Sequence, residues 1–237
     1  MMMNVLPVLK EITDALEQLL QGGAPHFIYT NKMPFSPEDI QLLSTLFQRG
    51  EVEITDNSTN NKSVVYNTRY PGVWVTTLWG RTLEFTPILE IVEINWYPQV
   101  VAFPPEDVAQ GVRQFLTAVI EVAQIPSSIK EQLQRDLRAV SPEKEIRWPL
   151  EGEWESLLHY VLAPGAVTIS SPTIRFTATR FWGVWLGHWA QGKQELVVTP
   201  FPETLRAHEG DVRMGLERLR QKYQELRLTL PVQGPSG

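Results

Sequence analysis

The chain has 237 residues, 43% of them hydrophobic and 20% charged, the balance of a globular protein able to bury a substantial core. A net charge of −6 with no concentrated Lys/Arg stripe argues against a nucleic-acid binder. The absence of cysteine excludes disulfides, thiolate-bound zinc, iron–sulfur ligation by this chain and thiol catalysis.

The first residues, Met1 to Pro7, carry neither a basic region nor an uninterrupted apolar run, so no signal peptide is expected. No apolar run approaches the ~18 residues of a membrane helix, and the expectation is a soluble cytoplasmic protein without membrane contact. Residues 5–21 read as an amphipathic helix, with Leu9, Ile12, Leu16 and Leu19 on one face and Gly22-Gly23 as its stop. Phe27-Ile28-Tyr29 suggests a short strand. Ser36-Pro37-Glu38-Asp39 is a helix start, and that helix runs through Leu42, Leu43 and Phe47 to Gly50. Alternation begins a strand at Val52 and Ile54, the polar run Asp56 to Asn61 reads as a hairpin tip, and strands follow over 63–70, 73–79 and 83–94. Pro104-Pro105-Glu106-Asp107 opens a helix with Val108, Val112, Phe115 and Val119 on its apolar face. Ile129, Leu133 and Leu137 suggest another helix, with a linker at 141–145. Beyond it the spacing predicts a helix over 153–163, strands near 166–170, 173–181, 184–190 and 194–199, and a helix over 209–228.

One phrase occurs twice. Thr68-Arg69-Tyr70-Pro71-Gly72-Val73-Trp74 returns as Thr179-Arg180-Phe181-Trp182-Gly183-Val184-Trp185. Upstream, Leu42-Leu43 and Gly50 to Ile54 match Leu157-Leu158 and Gly165 to Ile169; downstream, Pro98 and Asp107-Val108 match Pro202 and Asp211-Val212. Matches in one order, separated by gaps that loops absorb, imply a duplicated unit. The expected fold is α+β: two tandem repeats, each a small antiparallel sheet flanked by helices, related by a pseudo-two-fold. The expected organisation is a lead-in at 1–34, repeat units at 35–125 and 151–230, a helix and linker at 126–150, and a disordered tail at 231–237.

Within the phrase, a two-residue turn at Pro71-Gly72 would set Arg69 opposite Trp74, and the same register would set Arg180 opposite Trp185, each arginine able to stack on its tryptophan. Proline favours turns that twist against a two-residue hairpin, so a bulged or longer bend stays open. Trp74 and Trp185 are expected in the core. Trp79, Trp96, Trp182 and Trp189 fall at strand ends or turns; with Arg69 and Arg180 they are the candidate partner-binding residues, since tryptophan and arginine anchor protein interfaces.

Catalytic and cofactor chemistry finds no pattern. His26, His159, His188 and His208 form no metal-ligand spacing, and there is no nucleophile elbow, phosphate loop or dinucleotide fingerprint. His208-Glu209 with Asp211 could face a cation, but acids are also expected at a helix start. Glu90 with Glu93, and Glu51 with Glu53, read as solvated strand residues. No catalytic residue, metal or cofactor is expected.

The order Pro7-Val8-Leu9, Leu16 to Leu20, Ser36 to Asp39, Gly50-Glu51-Val52 and Thr68 to Trp74 resembles the HupH/HyaF family of hydrogenase expression/formation proteins. The resemblance covers 4–108 and, through the repeated phrase, 150–212. It departs at Asn67, where an acid is expected, and at Trp182, which stands where the first phrase has Pro71. It implies a non-enzymatic cytoplasmic accessory factor of [NiFe] uptake hydrogenases. Such a factor attends the iron–sulfur small subunit, or its twin-arginine leader, before export, alongside a thioredoxin-like partner. The alternative expectation is an enzyme or small-ligand binder using a cleft between the repeats.

Overall fold

A computed structural model describes residues 4–58, 62–79, 87–138 and 144–229, with side chains unassigned at 87–89. In chain order the elements are α1 (Val5–Leu20), β1 (His26–Tyr29), α2 (Pro37–Leu46), β2 (Arg49–Asp56), β3 (Lys62–Thr68), β4 (Val73–Trp79), β5 (Pro87–Ile94), α3 (Pro105–Glu121), α4 (Ser127–Arg138), β6 (Ile146–Pro149), α5 (Ser156–Tyr160), β7 (Pro164–Ser170), β8 (Ile174–Thr179), β9 (Val184–Trp189), β10 (Gln194–Val198) and α6 (Glu209–Thr229). The fold is α+β, and the registered strand pairs are antiparallel. The expected hairpin tip at 56–61 lies partly, and the expected tail at 231–237 wholly, outside the described residues, as do 141–143 of the expected linker.

The chain forms two compact units that do not follow the order of the sequence. The first comprises 1–50, 63–98 and 207–237; the second comprises 51–62 and 99–206. The boundaries expected for the repeats, 35–125 and 151–230, are therefore not the boundaries of the compact units: α3 belongs to the second unit and α6 to the first.

In the first unit the strand order is β1-β5-β4-β3. Val73, Val75, Val92 and Ile94 meet Val5, Leu9, Ile12, Leu16 and Leu19 of α1 and Val212, Leu216 and Leu219 of α6 in one core. Burying each such side chain contributes about 1.5–3 kcal/mol. The stop after α1 and the start of α2 are local. The Ser36 hydroxyl accepts the Asp39 amide at 3.2 Å while the Asp39 carboxylate accepts the Ser36 amide at 3.0 Å, with Pro37 in the first turn.

In the second unit the order is β2-β7-β8-β9-β10-β6. Val108, Val112, Phe115 and Val119 of α3 and Ile129, Leu133 and Leu137 of α4 pack with Val184, Leu186, Leu196 and Val198. Two expectations change here. The helix expected over 153–163 is a 3₁₀ turn (Gly152–Glu155) followed by the five-residue α5, and the segment 126–150, expected as a helix and linker, also contains β6. β6 pairs with β10, Trp148 opposite Leu196 and Arg147 opposite Val197. Arg147 fastens the pairing: it bonds the Glu145 carboxylate, donates to Glu195 at 2.8 Å and reaches the Thr204 hydroxyl at 2.5 Å.

Candidate functional site

Both copies of the phrase form the same turn. The Val73 amide donates to Tyr70 O and the Val184 amide to Phe181 O, each at 3.0 Å, with Gly72 and Gly183 at φ +86° and +75°. Proline second and a left-handed glycine third are the type II pattern, and Trp182 takes the proline position in the second copy. Thr68 closes its turn by accepting the Tyr70 amide at 3.1 Å and donating to Tyr70 O at 3.1 Å; Thr179 does the same to Phe181 at 3.1 and 3.2 Å.

Glycine and tryptophan then grip the residue that follows the next strand. Asn95 donates its amide to Gly72 O at 2.9 Å and accepts the Trp74 indole N–H at 3.0 Å; Thr199 donates to Gly183 O at 2.9 Å and accepts from Trp185 at 2.9 Å. A helix closes each turn from outside. Gly72 lies against Val212 of α6 and Gly183 against Val108 of α3, while Gly215 of α6 faces Pro71 and Gly111 of α3 faces the Trp182 backbone.

This geometry corrects the cross-strand pairing of arginine with tryptophan. Trp185 stands opposite Ala178, Trp74 stands opposite Glu93 of β5, and both indoles are buried. The four-residue turn ends the β3 and β8 ladders at Thr68 and Thr179, so the arginines leave the sheet. Each lies over the ring that follows it, Arg69 5.8 Å from the Tyr70 centroid and Arg180 4.7 Å from that of Phe181. Glu93 is corrected as well. It is 1% exposed, accepts the Asn95 side-chain amide at 2.9 Å, and is not a solvated strand residue, whereas Glu51 and Glu53 are exposed.

The candidate residues divide by strand end. Arg69 and Trp96 share the turn end of the first unit, because Trp96 follows β5, whose Ile94 pairs with Val73. Arg180 and Trp182 share one turn of the second unit, both exposed, Trp182 by 46%. Trp79 and Trp189 lie at the opposite ends of β4 and β9, about 17–20 Å away at strand rise. Trp96 packs on the first core, and the Trp189 indole N–H is buried without a partner among the described residues. Met214, beside Gly215 on α6, is 60% exposed at the turn end of the first unit and was not singled out by sequence. The sequence signal for it is an apolar residue out of phase with the buried Val212, Leu216 and Leu219 stripe of α6.

A cavity of about 390 Å³ in the first unit is lined by Val8, Phe35, Leu43, Phe47 and Val92, with Glu90 and Tyr66 as its titratable groups. Burial, then the Glu90 charge, raises the Tyr66 phenol above its ordinary value, partly offset by the Arg49 guanidinium 4.5 Å from its ring. Among the described residues no three His, Asp or Glu side chains gather as a metal site. No described helix is long and apolar enough to cross a membrane.

The model of the family described as "HupH hydrogenase expression protein, C-terminal conserved region" matches residues 2–123. The chain belongs to the HupH hydrogenase expression protein family. It is 28% identical over 123 residues to the hydrogenase expression/formation protein HoxQ of Azotobacter vinelandii, across 50% of this chain and 42% of that protein. It is 32% identical over 105 residues to the hydrogenase expression/formation protein HupH of Rhizobium leguminosarum bv. viciae, across 44% of this chain and 36% of that one. The aligned region thus spans 36–42% of the length of these two relatives. A solved structure of the hydrogenase expression protein HupH from Thiobacillus denitrificans is similar to it over 50% of this chain and 97% of that chain, with 28% identity and a TM-score of 0.43.

Proposed function

We propose that the protein is a non-enzymatic accessory chaperone in [NiFe] hydrogenase maturation, binding the iron–sulfur small subunit or its twin-arginine leader in the cytoplasm before export, with a thioredoxin-like accessory protein as a second partner. A role in hydrogenase expression and formation follows from the family. The observation that carries the finer reading is the pair of arginine–aromatic turns, the first of which lies inside the family match at 2–123. Each holds an exposed arginine on a rigid turn, and in the second an exposed tryptophan joins it. Exposed tryptophan and arginine on an ordered scaffold are the residues that anchor protein partners. Arg69, Trp96, Arg180 and Trp182 are proposed as primary contacts, with Trp79 and Trp189 contributing from the other strand ends. The net charge of −6 is complementary to a basic leader. We further propose that the two turns descend from one duplicated module, its copies at 35–125 and 151–230 related by a pseudo-two-fold.

Affinity capture of the tagged protein from cells making a hydrogenase small subunit, with and without its leader, tests the reading. Recovery of either form supports it, and loss with the leader deleted assigns binding to the leader. Recovery of neither overturns it.

A further inference from the structure

Arg180 is held but unspent. Its guanidinium lies over Phe181, and Phe181 is itself buried with its ring 5.5 Å from that of Phe115. Stacking fixes the head group yet uses none of its five N–H donors. Among the described residues Arg180 makes no side-chain hydrogen bond or ion pair, although the chain carries 27 Asp and Glu against 21 Lys and Arg. Two residues on, Trp182 exposes 46% of its surface from a turn clamped by Gly111 and Val108 of α3. The first unit has a related arrangement with other residues: Arg69 lies over Tyr70 without a side-chain hydrogen bond or ion pair among the described residues, and Met214, the helix neighbour of the Gly215 that faces Pro71, is exposed. A pre-positioned cation next to a large exposed apolar group is complementary to a carboxylate next to an apolar side chain.

We propose that the Arg180–Trp182 turn, with Arg69 and Met214 as its counterpart, docks a protein segment in which Asp or Glu adjoins a bulky apolar residue. Resting on the chaperone reading, this assigns the contact to the body of the client, since a basic leader would meet a like charge at these turns whatever the overall charge of −6.

The intact protein is titrated, by fluorescence anisotropy, with two labelled synthetic peptides of the same leucine and phenylalanine content, one carrying Glu and the other Lys. The acidic peptide is expected to bind at least about tenfold tighter and to weaken with added salt, and Arg180→Gln and Trp182→Ala each to weaken it about tenfold or more. Circular dichroism checks each variant's fold. Arg180→Lys, which keeps the charge but not the fork, should fall between wild type and Arg180→Gln, and stands in if the latter does not fold. Equal or tighter binding of the basic peptide, or unchanged affinity in folded Arg180 and Trp182 variants, overturns the proposal. Leaderless small subunit captured equally by wild type and by these variants overturns it while the chaperone reading stands. Peptide discrimination without capture of any small subunit leaves this docking chemistry standing and removes the chaperone reading.

Discussion

At the scale of the residue, the glycine of the repeated phrase is fixed by two independent demands. Gly183 needs a left-handed backbone at φ +75°, and a Cβ built there would come within 2.6 Å of Val108 Cγ2 on α3. Gly192, in the β9–β10 turn, has φ +86° but open space around it. The two positions separate backbone strain from packing. Gly192→Ala should lower stability by about 1–2 kcal/mol through the left-handed conformation alone. Gly183→Ala should cost that much and a further ~1–3 kcal/mol, because α3 must shift to admit the methyl group. Urea unfolding midpoints at unchanged slope measure both; equal losses would show that the turn and α3 are not tightly packed.

At the scale of the element, legibility followed the range of the interactions that make each one. The helices α1, α2, α3, α4 and α6 were readable to within a few residues because apolar spacing and capping are local. Ser36 and Asp39 declare the start of α2 before any tertiary contact is known. The phrase ending at Trp74 and Trp185 announced two buried indoles, but not that their partners are Asn95 O and Thr199 O, which lie 21 and 14 residues on. β6 was missed because four residues beside a run of charge have no period of their own; it is a strand only by pairing with β10. Glu93 was misread because alternation cannot show that both faces of a strand are covered. The residues that tie β6 in place make a pH prediction. Burial raises the Glu145 carboxyl above its ordinary value of 4.5, against the lowering effect of the Glu203 amide and Arg147. A raised acid binds its proton more readily in the folded state, so its contribution is complete below the unfolded pKa and declines as pH climbs through the folded one. The stability of wild type relative to Glu145→Gln should therefore fall as pH rises from about 4.5 toward neutrality, measured by urea unfolding at a series of pH values. A flat or rising difference would mean that the bonds from Arg147 and Glu203 outweigh burial.

At the scale of the whole molecule, the chain crosses between its compact units and returns. After β5 it enters the second unit, where the Phe103 amide donates to Pro200 O at 3.1 Å; after β10 it returns to the first, where the Ala207 amide donates to Trp96 O at 2.7 Å. A consequence is that the first unit is not complete until the last helix has been made. Val212, Leu216 and Leu219 of α6 sit in its core beside Leu16 and Leu19 of α1, and Val212 covers Gly72. Three such side chains represent about 5–9 kcal/mol of burial, comparable with the entire ~5–15 kcal/mol that holds a domain folded. A chain ending at residue 206 retains every segment of the second unit and lacks α6. Hydrogen exchange on that truncated chain should show amide protection lost in α1 and β4 but kept in α3 and β9, and a synthetic peptide covering 207–229 should restore protection to α1 and β4. Protection of α1 and β4 without the peptide would show that α6 is an accessory to the first unit and not one of its walls, and the crossing would then be a feature of chain routing with little bearing on how the first unit folds.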